Sequence, residues 1–137
     1  DVVQMLNGCI GGLVAITAEP LMPSPLAAIL IGAVGGVIVV FGTKFLLSLK
    51  IDDVVGAIPA HLFAGIWGTL AVPITNPDTS FVTQLIGVIS VNAFVFIVSF
   101  IIWTLMKSTF GIRLSKEGET KGTDVTETGV IAYAIRD

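Results

Sequence analysis

Between Asp53 and Lys107 the chain carries a single formal charge, Asp78, and inside that run sits its only histidine, His61. A stretch this poor in charge cannot keep one face in water, so it must be buried in protein or lie in lipid. An ionisable ring in the middle of a membrane-length apolar segment is costly in hydrocarbon and must face a partner or a cavity. Such a residue is a functional candidate by default. Any chemistry near neutral pH that these 137 residues perform passes through it.

Composition points the same way. Aliphatic, aromatic and sulfur residues make up 54% and charged residues 12% of the chain, against roughly 25% charged in soluble domains. This is the composition of a membrane protein. The net charge of −3 hides a balanced C-terminal end: from Lys107 onward five basic residues face five acidic ones. That pattern offers no basic patch for nucleic acid. The single Cys9 excludes an internal disulfide and a cysteine metal cluster, and it is expected as a small packing residue. No nucleophile–base pair and no metal-ligand set accompanies His61, so the sequence predicts no enzyme, no metal and no cofactor.

A bilayer core of about 30 Å takes about 20 mostly apolar helical residues. Four segments meet or approach this: residues 2–17, 26–49, 54–72 and 81–106. The first is short, and the apolar run opens directly after Asp1 without an initiator Met or a signal peptide. It is therefore expected to be a helix close to its start, in a protein that continues upstream. Connectors rich in Pro, Asn and Asp separate the spans. An all-α, polytopic membrane protein follows, with a transmembrane region over residues 1–110 and a solvated tail over 111–137.

Orientation comes from the basic residues. Lys44, Lys50, Lys107, Arg113, Lys116, Lys121 and Arg136 all fall at the second connector or after the fourth span. Cytoplasmic loops collect Lys and Arg, so the tail is expected in the cytoplasm and the first span runs outward. Small residues recur at helix-contact spacing, Gly8 with Gly12, Gly32 with Gly36 and Gly65 near Gly68, and are expected to let backbones approach. Gln84 and Asn92 in the fourth span should face protein.

Three motifs carry a resemblance. Asn7-Gly-Cys-Ile-Gly-Gly-Leu-Val-Ala-Ile-Thr17 comes first. Ile51-Asp-Asp-Val-Val-Gly-Ala57 follows, then His61 and Gly65-Ile-Trp-Gly68. Gly111-Ile-Arg113, Gly122-Thr-Asp124 and Ala132-Tyr133 close the chain. Together they resemble the C-terminal third of an ammonium transporter of the Amt branch within the Amt/Rh group. The resemblance implies an eleven-helix fold of two inverted halves, of which these are helices eight to eleven. It also implies a homotrimer with one pore per subunit, embedded in the lipid of the plasma or inner membrane, that passes ammonium or ammonia. Sites between inverted repeats are a general feature of transporters.

By that resemblance His61 is the second of two pore histidines, Thr17 is a lumen hydroxyl and Asn7 lies on the cytoplasmic vestibule. Asp53, Gly65, Trp67 and Gly68 form a structural and capping motif, and Arg113, Gly122 and Asp124 belong to a regulatory tail that could meet a PII-type signalling protein. Other roles compete at each position. Asp53 is placed to cap the third span, Thr17 to bond its own helix, Trp67 to pack, and His61 to tie two helices together. The chain departs from the family at Leu62, where relatives usually have Gly, and at Pro59, which can kink the span. Thr128 and Val130 stand where His and Glu often precede the Ala-Tyr pair, which weakens the case for PII docking. A membrane sensor of ammonium, or a four-helix membrane protein without transport, are the alternatives.

Overall fold

A computed structural model describes residues 2–21 and 24–132, and the described residues are helical with no strand. The helices are α1 (Val2–Ile16), α2 (Pro25–Ser48), α3 (Ile58–Thr75), α4 (Phe81–Thr109) and α5 (Lys116–Lys121), followed by a π turn at Asp124–Thr128. Tyr133 and Arg136 lie outside the described residues. Two compact units emerge, Asp1–Ala93 and Phe94–Asp137, with α4 contributing to both.

Three helices, α2, α3 and α4, are long and apolar enough to cross a membrane. The first expected span, α1, has 15 residues, so at a rise of 1.5 Å per residue it reaches about 22 Å. It is apolar but shorter than the other three.

Local chemistry sets the helix ends. Ser24 caps α2 by accepting from the Ala27 amide at 3.4 Å, and Pro25 occupies the first turn, where its missing N–H costs nothing. At the other end the Lys50 amide bonds the Leu47 carbonyl at 3.0 Å and the Ile51 amide bonds Leu46 at 3.1 Å. This double closure places Lys50 at φ 56°, a left-handed position usually given to glycine. Ser80 caps α4 through the Thr83 amide at 3.2 Å.

Glycine decides the packing of α1, α2 and α3. Gly12 lies against the Gly32 carbonyl, and Gly36 against that of Gly8, so α1 and α2 run antiparallel with their backbones nearly touching. Such contacts, in which no side chain intervenes, are how helices associate where lipid removes the hydrophobic drive. Gly68 sits against the Ala15 carbonyl, and Val14 packs beside Gly65, so α3 runs parallel to α1. Ala15, Ile31 and Ala71 form one buried cluster and Val39, Ala60 and Ala64 another. The ends agree with this order: Asn76, just past α3, donates to Glu19, just past α1, at 3.4 Å.

Three sequence expectations change. The third span begins at Ile58 rather than residue 54, because residues 54–56 form a tight loop with Gly56 at φ 73°. It also runs through Pro73 to Thr75, which moves the third connector to Asn76. Cys9 is exposed on α1, not packed.

Candidate functional site

His61 lies in the opening turn of α3, a π turn over Ile58–Phe63 that relaxes into α-helix at Ala64. Asp53 organises that turn. Its two carboxylate oxygens accept from the Ala57 amide at 2.9 Å and the Ile58 amide at 2.8 Å, satisfying donors that a helix start leaves open. Pro59 therefore falls in the first turn, where no backbone bond is lost, and the expected kink gives way to a helix start.

The imidazole is exposed and makes no hydrogen bond to the described residues. It opens on a cleft of about 260 Å³ shared with Gly65, Ile66 and Thr69 of α3 and with Val88 and Asn92 of α4. His61, Gly65 and Thr69 are spaced four apart and so share one helix face. Asn92 is half-buried and donates to the Val88 carbonyl at 2.7 Å, which leaves its carbonyl oxygen as an acceptor. Gln84 is half-buried as well. The cleft is thus mostly apolar, with a ring that can donate and accept at one end. Asn92 and Thr69 carry no motif that assigns them a task in the sequence, and the four-residue spacing of Thr69 from Gly65 and of Gly65 from His61 is the one signal that places Thr69 beside the ring.

The other residues distribute over three places. Trp67 turns away from the cleft: its Nε1 donates to the Ile31 carbonyl at 3.0 Å and its ring packs on the Ala15–Ile31–Ala71 cluster. Gly68 permits the close approach to α1. Thr17 donates to the Val14 carbonyl of its own helix at 2.7 Å, so its donor is used and its oxygen remains an acceptor. From the α1–α3 pairing it lies roughly two helical turns from the level of His61. Asn7 meets the loop before α3, donating to the Val55 carbonyl at 2.8 Å. Among the described residues no group of three His, Cys, Asp or Glu side chains could hold a metal.

In the second unit Arg113 pairs with Glu119 at 2.6 Å, both partners exposed. The hydrogen bond from Arg113 holds the Glu119 carboxyl below its ordinary range. Gly122 has φ 99°, and Asp124 beyond it accepts from the Ala132 amide at 2.8 Å. Hydrogen bonds from Ala132 and then Val125 hold the Asp124 carboxyl below the ordinary 3.8. A depressed carboxylate stabilises the loop fully above that value and loses the effect as pH falls through the folded one. The Ala132 amide shift should therefore titrate with a midpoint below 3.8. A midpoint at or above it would mean that the Asp124 bond is not made.

The sequence pattern of the Ammonium Transporter Family matches residues 1–133. The chain belongs to this family. Among its relatives, ammonium transporter Amt2 of Archaeoglobus fulgidus is 35% identical, over 97% of this chain and 33% of its own length. Ammonium transporter Amt1 of Haloferax mediterranei is 34% identical, over 97% and 27%. Ammonium transporter Amt1 of Archaeoglobus fulgidus is 32% identical, over 94% and 36%. The chain spans about a third of the length of the curated relatives it matches.

Proposed function

We propose that this chain forms part of a route by which ammonium crosses a membrane, and that His61 is the polar group the permeant meets. One observation carries the reading: a membrane-length helix presents an imidazole, bonded to none of the described residues, to a mostly apolar cleft that also holds Thr69 and Asn92. Moving an isolated cation into a medium of dielectric about 4 costs tens of kcal/mol by Born reasoning, a term that a neutral molecule avoids. The cation gives its proton to water at the mouth before the apolar stretch, and ammonia passes beside a ring that can both accept from it and donate to it. His61 then acts as half of a relay whose other member is a second histidine. Thr17 offers an acceptor at the outer level.

The family resemblance adds a homotrimer in the plasma or inner membrane, with surrounding lipid. It also adds a regulatory role for the tail through Arg113, Gly122 and Asp124, with a PII-type protein as a candidate partner that the departures at Thr128 and Val130 count against. The distribution of Lys and Arg supports a cytoplasmic tail. In a background lacking Cys9, cysteines at Asn76 and Glu119 should react with an impermeant reagent from opposite faces. Labelling of both from outside would overturn that orientation. The function itself is tested by ammonium flux into liposomes holding the full-length protein that carries this chain. Flux equal to that of empty liposomes would refute it.

A further inference from the structure

Asn7 belongs to α1, yet its amide is spent on another element. Nδ2 donates to the Val55 carbonyl, 48 residues on. Val55 is part of the loop before α3, and the next residue, Gly56, is buried at φ 73°, where a side chain would be strained. A Cβ at Gly56 would also strike the Asn7 amide nitrogen. The loop closes on itself, the Gly56 amide bonding the Asp53 carbonyl at 3.2 Å. Asp53 in turn fixes the Ala57 and Ile58 amides. Three residues later comes His61. One turn before Asn7, Gln4 donates to the Val40 carbonyl at 3.4 Å, so the stretch of α1 that bears the amide is tied to α2.

We propose that Asn7 is a positioning residue, a clamp on the loop at residues 53–56 that lets Asp53 hold the π turn and so sets the direction of the His61 ring. This rests on the reading of His61 as the group that meets the permeant, and it replaces contact between Asn7 and ammonium itself. The chemistry is specific. The Val55 carbonyl only accepts, so position 7 must supply a donor at that reach. An ionised aspartate has the shape of asparagine but offers acceptors alone, whereas a protonated one can donate.

The test is Asn7→Asp in the full-length protein that carries this chain, reconstituted in liposomes, with ammonium flux expressed as a ratio to the parent at each pH. The ratio should be at least fivefold down at pH 7.5. It should climb toward the parent as the pH is lowered toward about 4, because protonation gives the carboxyl a hydrogen to donate to the Val55 carbonyl. A parental ratio at pH 7.5, or a reduced ratio that stays flat with pH, would overturn the clamp. Thr43 borders the same recess but donates to the Val39 carbonyl of its own helix at 2.9 Å, so Thr43→Val should behave as the parent. A second measurement covers failure of the aspartate variant to assemble. In Asn7→Ala, exchange at the Ala57 and Ile58 amides should rise about tenfold while that of α2 is unchanged. Unchanged exchange at those two amides would overturn the clamp. A parent that passes no ammonium would instead refute the proposed function, and exchange would still decide whether the clamp exists.

Discussion

Replacing His61 with leucine should lower ammonium flux at least tenfold while the protein still assembles. Leucine fills similar space, and the exposed ring forfeits no hydrogen bond to the described residues, so folding has little to lose. What disappears is the pair of nitrogens that can accept from and donate to a small molecule in the cleft. A tenfold loss corresponds to about 1.4 kcal/mol, within the range for one hydrogen bond to a partly desolvated partner. His61→Glu sharpens the test. A carboxylate restores an ionisable group but adds fixed negative charge, so some conduction should persist and potassium should enter more readily. Flux of ammonium and of rubidium, measured in the same liposomes, reads both effects. Parental flux and parental selectivity in the leucine variant would make His61 a packing residue.

Gly68→Ala should be nearly as damaging, for a reason unrelated to the permeant. A methyl at Gly68 overlaps the Ala15 carbonyl oxygen and comes within 2.8 Å of its carbon. These are backbone atoms of α1, which no rotamer change can move aside. Separating the helices is the remaining relief, and overpacking of this kind costs about 1–3 kcal/mol. Gly8→Ala provides the comparison, since a methyl there meets the Gly36 carbonyl at 3.9 Å, an ordinary contact. The fraction of monodisperse protein in detergent should fall sharply for Gly68→Ala and stay near the parent for Gly8→Ala. Equal behaviour of the two would mean that the helices are not held at this distance.

Much of the fold was legible because lipid imposes a coarse code. Apolar length gave the helices, and spacing of Gly8, Gly12, Gly32 and Gly36 gave the faces on which two of them meet. Asp53 was readable as a cap because its position before an apolar run leaves few other uses for a carboxylate. The helix it caps began four residues later than expected, since the chain needs Gly56 to turn before it can coil. Trp67 was readable as packing, although its acceptor, the Ile31 carbonyl, depends on a helix 36 residues away. Pro73 was misplaced because a proline inside a helix looks like a terminator in one dimension. Asn7 was the hardest to read. Its hydrogen-bond acceptor, the Val55 carbonyl, lies 48 residues away on another element, and no one-dimensional pattern displays that pairing. The cleft is bordered by residues of both α3 and α4, which no single segment displays.

The π turn at Ile58–Phe63 has a consequence for what length changes this region can absorb. It holds one more residue than an α-helix would over the same advance, and each residue removed from a helix rotates what precedes it by about 100°. Upstream, the backbone must arrive with its amides facing Asp53; downstream, it must leave with Gly68 beneath the Ala15 carbonyl. The surplus residue reconciles two phases that a regular helix could not satisfy together. A single-codon deletion between Ile58 and Phe63 would leave a perfectly good helix and force it to abandon one anchor or the other, swinging the imidazole out of its cleft without breaking a turn.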